Sequence, residues 1–147
     1  MTNGFEVSAI ELIDEDLLAL VAAARSEGFT FMDRLVNHWS NGKNRFDQPG
    51  ECYFTVRFGV RLVAAGGLNR DPYGDDARIG RVRHVYVLPV ARRSGAGTAL
   101  LMAITTAARR QFQLLRLRTN TERGAAFYEA LGFERSDAPD ASHLMRL

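Results

Sequence analysis

The stretch from Arg81 to Phe112 constrains this chain more than any other. Arg81 to Leu88 is rich in β-formers (Val82, Val85, Tyr86, Val87) and is stopped by Pro89. From Gly97 to Phe112, Leu100, Leu101, Ile104 and Ala108 fall on one helical face. Between them runs Val90-Ala91-Arg92-Arg93-Ser94-Gly95-Ala96-Gly97-Thr98, so the order is strand, glycine-containing loop, helix. Such a loop presents unpaired backbone N–H groups and the positive end of a helix dipole, which together bind anions. Gly95 and Gly97 would let the backbone approach a ligand and adopt positive φ, while Arg92 and Arg93 add charge. A nucleoside-triphosphate loop needs Gly-Lys-Ser/Thr, and the only lysine is Lys43. A dinucleotide fingerprint needs a third glycine where Leu100 stands, and an acidic residue where the chain has Arg116 and Arg118. The loop suits a pyrophosphate that belongs to neither class.

The remaining segments fix the surroundings of that unit. Phe5 to Leu12 reads as a strand. Asp14 then caps a helix running to about Ser26, with Ile13 and Leu18 spaced as a hydrophobic staple. Met32, Leu35, Val36 and Trp39 mark a second helix that ends near Ser40. Ser40 to Gly50 is a loop, Cys52 to Phe58 and Arg61 to Leu68 form a hairpin turned at Gly59, and Asn69 to Asp76 is another loop. After the central unit come a strand (Leu114 to Thr119), a helix (Glu122 to Leu131, stopped by Gly132) and two closing strands (Phe133 to Ser136, His143 to Leu147). This order predicts a mixed sheet with helices on both faces. At 147 residues and 46% hydrophobic the chain suits one domain. Lone Cys52 with His38, His84 and His143 offers no metal-ligand spacing. No apolar run reaches the roughly 18 residues of a membrane span, and Met1 to Glu11 lacks a signal pattern, so a cytoplasmic location is expected.

Charge is unevenly spread. Ala77 to Thr121 holds nine arginines and no Asp or Glu, giving +9 there and −7 elsewhere, which suggests an anionic ligand in that block. No arginine-aromatic RNA motif or basic recognition helix is visible, so a small phosphorylated ligand is favoured over nucleic acid.

Arg92-x-x-Gly95-x-Gly97, following His84-Val85-Tyr86-Val87-Leu88-Pro89, resembles the acyl-CoA-binding motif of the GNAT N-acyltransferase superfamily. Asn120 and Ala126-Phe127-Tyr128-Glu129-Ala130-Leu131-Gly132-Phe133 resemble its second cofactor segment. The Cys52 to Leu68 meander, with Ala65-Gly66-Gly67-Leu68, is similar too. The resemblance implies an α/β (α+β) fold: a mixed, mostly antiparallel sheet of six to seven strands flanked by about four helices. It implies that acetyl-CoA is the cofactor and CoA the product. Arg92, Arg93, Ser94, Gly95, Ala96, Gly97 and Thr98 would hold the pyrophosphate, and Tyr86, Val87 and Leu88 the pantetheine. An amide near Val87 would polarise the thioester carbonyl. Asn120 and Phe127 would line the cofactor arm, and Tyr128 would protonate the departing thiolate.

The chemistry so implied is direct attack by an amine, which must first lose its proton. Many family members carry a glutamate near the start of the strand where this chain has Arg81. His84 is a substitute base: alternation puts it on a face with Val82 and Tyr86, although a histidine hydrogen-bonded within the sheet is the plain alternative. Asp33, Asp75 and Asp76 are further candidates, and a substrate arriving as free amine needs no base. The expected function is acetyl transfer to a primary amine of a small molecule, amino acid or protein. The alternative is a non-catalytic acyl-CoA sensor or partner module with the same fold. Relatives often form dimers, so a homodimer is possible; no membrane or nucleic-acid partner is expected.

Overall fold

The computed structural model describes residues 4–147. Its spine is a seven-stranded sheet in the order β1-β2-β3-β4-β5-β7-β6, where β1 is Phe5–Ala9, β2 Cys52–Phe58, β3 Arg61–Arg70, β4 Ile79–Val87, β5 Leu114–Leu117, β6 Glu134–Arg135 and β7 His143–Arg146. All neighbours are antiparallel except β4 and β5. That parallel pair requires a crossover, and the helix of the central unit supplies it.

Four helices follow from the periodicities: α1 (Glu15–Ser26), α2 (Phe31–Asn41), α3 (Ala96–Arg109) and α4 (Glu122–Ala130). Asp14 caps α1 as expected, its Oδ1 accepting from the Leu17 N–H at 2.9 Å. Leu17, Leu20, Val21 and Ala24 form the buried stripe. Leu18 turns outward, so Leu17 rather than the expected Ile13–Leu18 staple seats the helix. Met32, Leu35 and Trp39 anchor α2, which Gly42 ends at φ 80°. Thr121 caps α4 by accepting from the Gly124 N–H at 3.0 Å.

The two sheet faces are identified by what their glycines meet. A Cβ on Gly66 would meet Leu100 of α3, whereas one on Gly67 would meet Tyr53 and Phe46, on the side where the Tyr53 hydroxyl touches Met32 of α2. Thus α3 covers one face, with α4 beside it through Phe127 against Gly97, and α1 and α2 cover the other.

Candidate active site

The sheet opens at its centre. β4 and β5 pair only over Ile79–Arg81 and Leu114–Arg116, and beyond that they diverge. The divergence coincides with a bulge. Arg83 pairs with Gly67 and Tyr86 with Ala65, so Gly66 alone opposes both His84 and Val85. His84 takes the left-handed conformation at φ 55°, and the buried Tyr53 hydroxyl donates to the His84 carbonyl at 2.8 Å, holding the bulge in place. A cleft of about 830 Å³ fills the gap and runs through the sheet, from Gly95, Gly97 and Thr98 on the α3 side to Phe29, Phe31 and Arg34 on the α1/α2 side.

One end of the cleft is an anion cradle. Gly95, at φ 98°, precedes α3, and no side chain caps that helix. The backbone N–H groups of Arg93, Gly95, Ala96, Gly97 and Thr98 find no acceptor among the described residues. Ala96 is fully buried, so the free amides of Arg93, Gly95, Gly97 and Thr98, at the positive end of a 14-residue helix, form the donor set a pyrophosphate needs, and these residues fit the phosphate end of an acyl-CoA. The two glycines serve different purposes. Gly95 supplies the positive φ, whereas an added Cβ on Gly97 would stand 3.1 Å from the Phe127 ring, so Gly97 allows α4 to pack close. The second residue with positive φ is Arg93, at 63°, not Gly97 as expected.

Of the cofactor-binding residues expected from sequence, Tyr86, Val87, Arg92, Arg93, Gly95, Gly97, Thr98, Asn120, Phe127 and Tyr128 line the cleft. Leu88, Ser94 and Ala96 do not. The Leu88 N–H donates to Val63 at 2.8 Å, the Ser94 hydroxyl turns back to the Ala91 carbonyl, and Ala96 is fully buried. Arg92 also departs from the expectation of a phosphate-facing charge. Its guanidinium donates instead to the Val87 carbonyl (3.0 Å) and to both carboxylate oxygens of Glu27 (3.0 and 2.6 Å). Glu27 also accepts from the Tyr86 hydroxyl. Arg92 and Tyr86 hold the Glu27 carboxyl below its usual range, while burial and Glu27 push the Tyr86 phenol up to about 12. This Glu27–Tyr86–Arg92 cluster, which no sequence pattern marks, ties the end of α1 to the end of β4. Glu27 lies 65 residues from Arg92, with no local signal to connect them.

Tyr128 is only 8% exposed and packs on Phe127 and Phe133. Its hydroxyl makes no hydrogen bond among the described residues, and the residue lines the cleft. Burial raises the phenol well above its ordinary range, so it keeps its proton.

The proposed bases fare differently. His84 lies on the α1/α2 face with Phe46 and Tyr86, but not with Val82, because the bulge reverses the alternation there. Burial, then the charges of Arg83 and Arg34, push its imidazole down to about 3, and its Nε2 is buried without a partner among the described residues. It stays neutral at physiological pH, and the same burial works against its taking a proton from an amine. Asp33, Asp75 and Asp76 do not line the cleft. Asp33 is paired with Arg25, and Asp76 with Arg78, which lowers the Asp76 carboxyl to about 2.

Arg81, in the place of the family glutamate, is structural. It meets Asp71 (3.5 Å), the Asp140 carbonyl (2.7 Å) and the Tyr73 ring face (4.5 Å). Asp71 also takes Arg116 at 2.8 Å, and Asp140 completes that network. Part of the +9 block is therefore neutralised by carboxylates folded in from outside it, and not by a ligand. The cleft lining is still one-sided: seven arginines and no carboxylate line it among the described residues, and of the seven only Arg81 and Arg92 are in ion pairs.

The family model of the acetyltransferase (GNAT) domain matches residues 49–135. No curated protein matches the chain. Among solved structures, a protein assigned as an acetyltransferase from Exiguobacterium sp. 255-15 is 31% identical with a TM-score of 0.84, over 97% of this chain and 93% of that one. An acetyltransferase from Streptococcus agalactiae is 15% identical (TM-score 0.72, 96% of each chain). A Salmonella typhimurium protein assigned as an acetyltransferase, solved with its cofactor acetyl-CoA, is 13% identical (TM-score 0.71, 98% and 94%). The splayed sheet and its amide cradle are thus those of an acyltransferase that takes its acyl group from an acyl-CoA. The chain belongs to the GNAT acetyltransferase family.

Proposed function

We propose that the protein transfers an acetyl group from acetyl-CoA to a primary amine by direct attack, residues 1–147 acting as one domain. The observation that carries this reading is the through-sheet cleft. It joins the uncapped α3 N-terminus, suited to the cofactor's pyrophosphate, to an aromatic and basic chamber on the opposite face. Acetyl-CoA supplies an activated thioester when bound. The amine nitrogen forms the new C–N bond as the C–S bond breaks. Tyr128 gives its proton to the departing sulfur, the attacking nitrogen releases its surplus proton to solvent as the amide forms, and solvent returns a proton to the phenolate; the acid role is supported by a hydroxyl in the cleft wall that has no partner among the described residues and by its raised pKa.

The chamber also answers how the amine loses its proton. An ammonium group among arginines, with no carboxylate among the described residues lining the walls, is disfavoured relative to the neutral amine, so entry itself selects the nucleophilic form. No protein base is then required, and kcat/KM should rise with pH along the acceptor's own titration, with no limb from His84. Asn120, Arg93, Gly95, Gly97, Thr98, Tyr86, Val87 and Phe127 form the cofactor wall in this reading. The test is thiol release from acetyl-CoA against a panel of amines. Acetylation of one amine class is expected. Tight acetyl-CoA binding with no release on any amine would replace this reading with that of an acyl-CoA sensor.

A further inference from the structure

The α1/α2 end of the cleft holds cationic groups that the protein itself leaves unanswered. Arg83 on β4 pairs with Gly67, whose Cβ direction faces the α2 side, and Arg34 projects from α2 into the same chamber. Neither guanidinium donates a hydrogen bond or forms an ion pair among the described residues. This contrasts with Arg81, two residues away on the same strand and face, whose charge the fold meets with Asp71. Burial works most against the charge on Arg83 and Arg34 adds to it, while Asp71 and Glu51 offset it only through space, with no ion pair to Arg83 among the described residues. Two like charges held towards one partly desolvated space are unfavourable until an anion arrives between them. A second observation points to the same place. His84 is 9% exposed, lines this chamber, and carries at Nε2 a buried polar atom with no partner among the described residues. The opposite wall is apolar, built from Phe29 and Phe31, with centroids 5.7 Å apart.

Resting on the acetyltransferase reading above, we propose that the acceptor amine itself bears a carboxylate, as a free amino acid does. Arg83 and Arg34 hold the carboxylate, His84 Nε2 lies within its reach, and an apolar side chain rests on Phe29 and Phe31. A guanidinium fork matches the two carboxylate oxygens. The subsite lies on the face opposite the α3 amides, so it is separate from the pyrophosphate cradle.

The test is calorimetric titration into CoA-saturated protein of L-phenylalanine and L-leucine, set against L-phenylalanine amide and phenethylamine, with O-phosphoethanolamine as a phosphate-bearing control. The amino acids should bind about 10- to 100-fold more tightly than the amide and the plain amine. Arg83→Gln and the exposed Arg34→Gln should each remove most of that preference, Arg83→Lys should restore part of it, and acetyl-CoA affinity should stay within about twofold throughout. Amide and amine bound as tightly as the acids would overturn the proposal. So would preference for the phosphate compound, a preference that survives Arg83→Gln, a parallel loss of acetyl-CoA affinity, or no binding of any probe. Carboxylate-selective binding without thiol release would leave this subsite standing and overturn the catalytic reading instead.

Discussion

Replacing Tyr128 by Phe removes one oxygen and changes little else. The hydroxyl makes no hydrogen bond among the described residues, and the ring sits between Phe127 and Phe133, where a phenylalanine ring fits the same space. With no partner to orphan, stability should stay within about 0.5 kcal/mol of the parent. If the hydroxyl is the general acid, its loss should lower kcat about 10²- to 10⁴-fold, or roughly 2.7 to 5.4 kcal/mol at 1.36 kcal/mol per decade. Because burial holds the phenol well above its ordinary pKa, the parent should show no loss of activity from this group up to about pH 10. The assay is thiol release at saturating acetyl-CoA with the best acceptor, alongside calorimetric CoA affinity and a urea melt. A kcat within about twofold of the parent refutes the acid role. A fall in kcat matched by a fall in CoA affinity or stability would show that the hydroxyl acts through structure.

Three further perturbations follow from the same geometry. Asp71→Asn should leave Arg81 and Arg116 without their shared carboxylate and cost about 3–5 kcal/mol in urea denaturation; a loss under 1 kcal/mol would mean that the network adds little. Gly97→Val should force its new side chain against Phe127 and weaken acetyl-CoA binding at least about tenfold, read by calorimetry; unchanged affinity would dissociate the cradle from the cofactor. Glu27 has a folded pKa depressed by Arg92 and Tyr86, so its contribution to stability is present above its unfolded value, about 4.3, and is lost as pH falls through the lower folded value. Glu27→Gln should therefore be less stable than the parent at pH 7 and converge with it near pH 3, and a gap independent of pH would show that its charge is not what ties α1 to β4.

Legibility followed the range of the interactions. Asp14, the Met32–Trp39 stripe, the Gly59 turn and the Gly95 loop are decided within a few residues of chain, and each stands where the pattern puts it. β4 was legible as a strand, but its bulge was not. Alternation cannot reveal a left-handed residue whose cause is a hydroxyl on β2 and a register step on β3. That single residue moves His84 off the face of Val82. Charge misled for the same reason. The carboxylates that answer Arg81, Arg92 and Arg116 come from Asp71, Glu27 and Asp140, all outside the basic block, and only folding brings them in. The α3 end of the cleft could be read because backbone amides and glycines carry it; the opposite chamber could not, because side chains from α2, β4 and the β3–β4 loop assemble it.

The most direct test of the account is calorimetric titration of acetyl-CoA into the protein, followed by thiol release on addition of an acceptor amine. One acetyl-CoA bound per chain, displaced by CoA and consumed only when amine is present, is the predicted result. Absence of binding would contradict the assignment of the α3 amides, and with it the function built on them.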